Sequence, residues 1–119
     1  MTFDWQQDWD AKVGLWWKAG PGHTPPVKET LRVHPIPDAA SRLLVAAQAG
    51  QLNRIDVKAV LAAIREAQRT GEGPFAGVPR WFWEEPYLSD SNAAFFTGMS
   101  LLVLWQVYRA QLAEETHVL

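Results

Sequence analysis

Apolar residues recur with helical spacing over residues 54–70. The members of this stripe, with charged residues between them, are Val57, Val60, Leu61, Ile64 and Ala67. Asn53 precedes the stripe with Asp56 three residues on, a weak capping box, and Gly71 follows as a C-terminal stop. The pattern predicts an amphipathic helix that buries one face.

A second helix is predicted over residues 38–50. Pro37 suits a first helical turn, Asp38 favours the positive end of a helix dipole, and Gly50 ends the segment. Because so few residues separate this helix from the next, we expect the two to pack as an antiparallel hairpin.

The N-terminal segment carries a stripe of tryptophans at helical spacing. Its members are Trp5, Trp9, Trp16 and Trp17. We expect an amphipathic helix over about residues 3–18. Glycine costs roughly 1 kcal/mol against alanine inside a helix, so Gly14 is expected to admit a neighbouring segment closely.

The C-terminal part contains the most apolar segment of the chain. Residues 93–105 are apolar around almost the whole circumference of a helix, apart from Thr97, Gly98 and Ser100. A helix over residues 91–114 is therefore predicted at the centre of the fold. A membrane span is disfavoured because the apolar run is shorter than the roughly 20 residues that a bilayer requires.

Two segments rich in proline and glycine separate the predicted helices. Residues 19–37 carry five of the eight prolines, and residues 71–90 contain three glycines and three prolines. Proline removes a backbone donor and restricts its neighbour, so both segments are predicted as long loops. An edge strand at residues 30–34 is the alternative for part of the first loop.

These elements predict an all-α fold in a single domain that covers residues 1–119. The expected architecture is a small four-helix domain, in which the helical hairpin packs on a central apolar C-terminal helix. A chain of this length can bury about two-thirds of its unfolded surface in one core.

Charge and cysteine content narrow the classes of function. Eleven basic and 13 acidic residues leave a net charge of −2, which gives no electrostatic reason to bind nucleic acid or an anionic membrane. The absence of cysteine excludes disulfides, thiolate metal sites and cysteine nucleophiles. The N-terminus lacks the basic and apolar regions of a signal peptide, so we expect a cytoplasmic protein.

Familiar catalytic and metal-binding motifs are absent from the sequence. His23, His34 and His117 are scattered, with no pair at helical spacing and no carboxylate at ligand spacing. The stretch GEGPFAG at 71–77 lacks the glycine spacing and the preceding strand of a phosphate loop, and no serine lies in a G-x-S-x-G elbow. We expect no metal and no cofactor.

The stretch PRWFWEEPYLSDSNAAFFTG, residues 79–98, is the strongest candidate for a ligand or partner site. Its candidate residues are Trp81, Trp83, Glu84, Glu85, Tyr87, Asp90 and Asn92. In one interpretation a glutamate acts with Asp90 as general acid and base on a sugar, and the tryptophans provide stacking faces. In the other, a tryptophan plugs the end of the helix bundle, while Asp90 and Ser91 cap the helix that follows.

The order of motifs over residues 54–108 adds a resemblance. A helix is followed by Q-x-x-G-x-G-x-F at Gln68 to Phe75, an aromatic and proline-rich loop, and D-S-N-A-A-F-F-T-G at the start of an apolar helix. This order resembles one turn of the α/α-repeat proteins, which include terpenoid cyclases, prenyltransferases and related sugar-processing toroids. The resemblance implies that a set of residues lies at a rim where ligands bind, namely Trp81, Trp83, Glu84, Asp90 and Asn92.

The resemblance stops short of a complete toroid. Such proteins have many more helices than the four predicted here, and the D-x-D-D motif of the cyclases is missing. It therefore implies a reduced unit that stacks on itself or on a partner, or a part of a longer protein.

Two functions are compatible with these patterns. The first is an oligomeric interaction module or accessory subunit with Trp5, Trp9, Trp16 and Trp17 at its interface, because seven tryptophans in 119 residues are hard to bury completely. The second is a carbohydrate-binding or carbohydrate-active domain that uses residues 81–92. The expected partner is a protein or a second copy, and a glycan or small molecule is the ligand of the second reading.

Overall fold

The structure is a computed structural model that describes residues 4–22, 32–68, 77–85 and 92–116. In chain order its elements are β1 (Trp9–Asp10), β2 (Leu15–Trp16), β3 (Lys18–Ala19), β4 (Arg32–Val33), α1 (Ile36–Gln48), a 3-10 helix (Leu52–Arg54), α2 (Val57–Ala67), α3 (Asn92–Val107) and α4 (Arg109–Thr116). The four strands form two antiparallel pairs, β1 with β2 and β3 with β4.

The prediction of an all-α fold is wrong, because the N-terminal segment forms a β-hairpin and not a helix over 3–18. Trp9 pairs with Trp16 in this hairpin. Asp8 and Gly14 have φ values of 65° and 88°, a left-handed backbone that a right-handed helix excludes. The alternative of an edge strand at residues 30–34 agrees with β4, which pairs with β3.

Gly14 lets the hairpin approach α2 closely. A Cβ atom added at this residue would lie 2.7 Å from the carbonyl oxygen of Ala59, which is nearer than real Cβ atoms come to backbone. The close approach expected from the sequence is therefore present, although a hairpin rather than a helix makes it.

Two tryptophans of the N-terminal segment belong to the core. Trp5 and Trp16 are buried among residues of α1 and α2. The indole N–H of Trp5 donates to the side-chain oxygen of Gln51 at 2.6 Å, and that of Trp16 donates to the carbonyl of Trp5 at 2.8 Å. A buried indole N–H is costly without an acceptor. The first bond joins the N-terminal segment to the turn after α1, and the second joins β2 to Trp5 within the same segment.

Helix α1 confirms the helix predicted over residues 38–50, with slightly different ends. It begins at Ile36 with proline in its first turn, and Ala39, Ala40 and Leu43 are among its buried residues. Its C-terminal end is a Schellman motif, in which Gly50 has φ +69°. The backbone N–H of Gly50 donates to the carbonyl of Ala47, and that of Gln51 donates to the carbonyl of Ala46.

Helix α2 confirms the second stripe, but its cap is not the predicted one. The side chain of Asp56 accepts the backbone N–H of Ala59 at 3.2 Å, so Asp56 is the N-cap. Asn53 lies instead in the 3-10 helix that connects α1 to α2.

The helix predicted over 91–114 is present as α3 and α4, which meet at Tyr108. The backbone N–H of Tyr108 donates to the carbonyl of Leu104, and the carbonyl of Tyr108 accepts the backbone N–H of Leu112, both at 3.0 Å. Helical hydrogen bonding therefore continues across the bend. The predicted central position of this helix is wrong. α3 packs along α1, but only Ala93, Thr97 and Leu104 of its side chains are fully buried.

Within the described parts of the chain, no helix combines the length and hydropathy that a membrane crossing requires.

Replacement of Gly14 by alanine tests the approach of the hairpin to α2. We expect Gly14→Ala to lower the free energy of unfolding by about 2–4 kcal/mol, from a strained backbone together with a clash against Ala59. Gly77→Ala is the matched control, because Gly77 has φ +85° and nothing within 4 Å of an added Cβ. Equal losses in urea denaturation would contradict the close approach.

Candidate functional site

His34 joins three parts of the chain through its two ring nitrogens. Its side chain is 1% exposed, with Nδ1 2.5 Å from Oε2 of Glu84 and Nε2 3.0 Å from Oδ2 of Asp10. The backbone N–H of His34 also donates to Oε1 of Glu84 at 2.7 Å. We call the three residues the His34 clasp, since they hold the N-terminal hairpin, β4 and segment 77–85 together.

Backbone hydrogen bonds extend the clasp along the same segments. Ile36 donates to the carbonyl of Trp81 at 2.7 Å, and Trp83 donates to the carbonyl of His34 at 2.9 Å. These bonds fix Trp81 beside the start of α1.

Aromatic packing closes the clasp from one side. The Trp17 ring lies 3.7 Å from the His34 ring between centroids, and the Arg32 guanidinium lies 4.6 Å from the Trp17 centroid. This stack of cation, indole and imidazole leaves the His34 ring almost no access to solvent.

The protonation of Glu84 is shaped by two opposing effects. Burial raises the pKa of its carboxyl, but hydrogen bonds from the ring and backbone of His34 and the charge of that ring outweigh the burial. The pKa of Glu84 is therefore held below its usual value near 4.5. The carboxylate form is the one that the clasp stabilises.

The clasp holds its imidazole ring between two carboxylates and away from solvent. Its two carboxylates contact opposite nitrogens of one ring, so they do not converge on a single ion. Among the described residues, no group of three or more His, Cys, Asp or Glu side chains is placed to hold a metal. The ring also lies too deep to meet a substrate.

Glu85, a further charged residue predicted for this site, lies inside the fold. Glu85 is fully buried, and its carbonyl accepts from Nη1 of Arg80 at 2.9 Å. The Arg80 guanidinium lies 5.3 Å from the Trp83 centroid, and the half-buried Trp83 packs against the core. Burial lowers the pKa of Arg80, against the opposing charges of the nearby carboxylates Glu66, Glu84 and Glu85.

Of the remaining candidates, the structure describes Asn92. Tyr87 and Asp90 lie outside the described residues. Asn92 is exposed as the first residue of α3. Glu84, one of the two glutamates that could act with Asp90 on a sugar, is engaged with the ring of His34.

Trp81 is half-exposed and points toward α3. Its ring meets that of Phe96 edge to face, 5.8 Å between centroids. A groove of about 310 Å³ lies here, lined by Pro37, Asp38, Ser41, Trp81, Phe96 and Ser100. Trp81 therefore borders a surface that continues onto α3.

The part of the α3 surface that α1 leaves uncovered carries a set of exposed apolar side chains, which we call the α3 face. Its members are Phe95, Phe96, Met99, Leu102, Trp105 and Val107, each between 41% and 65% exposed. The helix has no charged residue from Asn92 to Val107. Side chains of this size at this exposure present on the order of 600 Å² of apolar surface.

A second groove borders the α3 face at its C-terminal end. It has a volume of about 290 Å³ and is lined by Leu61, Trp105, Leu112 and Thr116. Trp105 thus belongs both to the α3 face and to the wall of this groove. The Arg109 guanidinium lies 4.5 Å from the centroid of the Trp105 ring.

The tryptophans predicted for an interface have mostly been placed inside the fold. Trp5 and Trp16 are buried, so they offer little surface to another molecule. Trp9 and Trp17 are partly buried, Trp9 against Trp16 and Trp17 against His34.

Sequence reasoning missed both the clasp and the exposure of α3. Asp10 and Glu84 are 24 and 50 residues from His34, and no local spacing links them. The exposure of α3 had a signal, since a helix that is apolar on all sides needs cover on all sides. The signal was read as burial within this chain.

The clasp makes stability depend on acid pH. A carboxyl whose pKa is lowered by folding adds stability above its usual pKa, and this contribution is lost as pH falls through the folded-state value. We expect Glu84→Gln to lower the free energy of unfolding by about 1–2 kcal/mol at pH 7, after allowance for the partial exposure of Glu84. At pH 3 the same substitution should lower it by less. Urea denaturation at both pH values measures this. Glu114→Gln, at an exposed position of α4, should follow the parent protein, and parallel curves for all three proteins would contradict the clasp.

No protein-family model, no curated protein and no solved structure matches this chain. The resemblance to α/α-repeat proteins therefore stays a prediction.

Proposed function

We propose that this chain is an interaction module or accessory subunit that associates with a protein through the α3 face. One observation carries the proposal: six large apolar side chains of a single helix, α3, are between 41% and 65% exposed. The largest apolar patch on a typical monomer is about 300–600 Å² and is often functional, and the α3 face lies at the upper end of that range.

The chemistry of the face is that of an interface core. Aromatic residues and methionine are enriched in such cores and charged residues are depleted. Phe95, Phe96, Trp105 and Met99 provide the first feature, and the uncharged stretch from Asn92 to Val107 provides the second. Burial of this face would yield roughly 25 cal/mol per Å², the contribution that drives association.

The face is also supported from behind. α3 packs along α1, and Phe96 is met by Trp81, which is fixed by hydrogen bonding to the start of α1. A rigid apolar surface loses little conformational freedom on binding, which favours its use in association. A cytoplasmic location is part of this proposal, supported by the absence of cysteine from the sequence.

A second candidate function is binding of a carbohydrate in the groove beside Trp81. The groove combines an aromatic ring with polar groups of Asp38, Ser41 and Ser100, a composition found in small-molecule sites. Asp38 is also the partner of Lys18, at 3.2 Å between Nζ and Oδ2.

Tryptophan fluorescence distinguishes this second candidate. We expect a binding glycan to change the tryptophan emission of the parent protein and of Trp83→Phe, but not that of Trp81→Phe. The reason is that Trp81 lines the groove and Trp83 does not. No change with any member of a diverse glycan panel would count against the candidate.

Photo-crosslinking tests the α3 face whatever the partner is. We expect a photo-reactive phenylalanine at Phe96 to give a discrete adduct in the cells that normally make the chain. The same group at Val45 is the control, because Val45 is 48% exposed but lies on the side of α1 opposite its buried residues. Absence of an adduct from Phe96, or equal adducts from both positions, would contradict the proposed function.

A further inference from the structure

We propose that α3 pairs antiparallel with α3 of a second copy, and that Gly98 is the notch that receives Leu102 of the partner subunit. The inference rests on the proposed function and names the partner. Three observations support it: the exposed Gly98 inside α3, the spacing of the exposed residues of α3, and the complementarity of two such helices in the antiparallel direction.

Gly98 lies in the interior of α3 and is exposed. Glycine destabilises a helix interior relative to alanine, so its use there needs a packing reason. At Gly14 that reason is visible, since Ala59 leaves no room for a Cβ. At Gly98 nothing in the described chain lies within 4 Å of an added Cβ. The neighbour that explains Gly98 is therefore sought outside the described residues, and we take it to be a second copy of the chain.

The exposed residues of α3 follow the spacing of a helix-pairing seam. Phe95, Gly98, Leu102 and Trp105 are separated by three, four and three residues. This is the alternation of the a and d positions in a heptad, which line one face of a helix packed against another helix. All four residues are exposed in the structure.

The seam is complementary to itself in the antiparallel direction. With a two-fold axis at the level of Ser100, Gly98 faces Leu102 of the partner subunit, and Phe95 faces Trp105 of the partner subunit. A large side chain thus fills each notch, and the two ends of the seam form aromatic pairs. A parallel pair would place glycine on glycine and leucine on leucine, which leaves a void beside a crowded layer.

Electrostatics and area agree with this arrangement. Antiparallel helices bring opposite dipole ends together, and no charge lies on α3 between Asn92 and Val107 to oppose burial. A stable dimer buries about 800 Å² on each partner. The members of the α3 face beside the seam are Phe95, Met99, Leu102 and Trp105, which supply about half of that area. The walls of the groove around Leu112 adjoin the seam.

Sedimentation equilibrium on the purified chain tests the pairing. We expect a dimer at micromolar concentration for the parent protein. Gly98→Leu fills both notches and should raise the dissociation constant at least about 30-fold, since overpacking acts twice in a symmetric pair. Ala110→Leu places the same side chain at an exposed position of α4 outside the seam, and should leave the dissociation constant unchanged.

Gly98→Ala separates a packing role from a folding role. In dilute, monomeric protein it should raise the melting temperature, because alanine favours the helix and its Cβ meets nothing in the described chain. In the same protein it should weaken the dimer about tenfold, because the notch becomes shallower. Circular dichroism against protein concentration measures both effects, and keeps the inference testable if Gly98→Leu does not fold.

The outcomes distinguish this inference from the proposed function. A monomeric parent protein overturns the pairing, and adducts from Phe96 to another protein would then leave the proposed function standing. A dimer that Gly98→Leu leaves as tight as before overturns the antiparallel arrangement. Absence of any Phe96 adduct, together with a monomeric parent protein, overturns both.

Discussion

A buried imidazole with a carboxylate on each side holds together three segments that are far apart in the sequence. A polar ring at the depth of His34 is costly unless both nitrogens have partners, and Asp10 and Glu84 provide them. The hairpin and the segment around Trp81 must therefore meet at β4. The position of Trp81 against Phe96, and with it one edge of the α3 face, depends on this arrangement.

The account of function depends on an imbalance within α3. The helix is apolar around its circumference, yet among the described residues it is covered mainly on the side that packs on α1. In a helix of a complete core, the opposite side would be buried by further elements of the same chain. Here the described parts of the chain leave it exposed, with a glycine among large side chains. A second helix with the same face fits that surface, which is why self-pairing is the favoured inference.

Local signals explain which elements the sequence could predict. α1 and α2 were predicted because their stripes and end signals depend on nearby residues, as the Schellman motif at Gly50 shows. The prediction of an N-terminal helix was wrong because the tryptophan spacing fits a helix, while the backbone is left-handed at Asp8 and Gly14. Gly14 also packs against Ala59 of α2, a contact between distant residues that local spacing does not show. The His34 clasp joins residues 24 and 50 positions apart, so no pattern reveals it. For α3, sequence gave the helix but not its exposure, since an apolar surface looks the same whichever molecule covers it.

The distance between two spin labels, one at residue 106 of each copy, tests directly whether two α3 helices pair antiparallel. The chain has no cysteine, so Gln106→Cys creates a unique labelling site, and Gln106 is exposed beside the seam. In the antiparallel pair the two labels lie 12 residues apart along the axis, about 18 Å at 1.5 Å per residue, and so about 20 Å apart overall. Pulsed dipolar spectroscopy should show that separation. A separation of about 10 Å, as in a parallel pair, or no dipolar coupling at all would contradict the account.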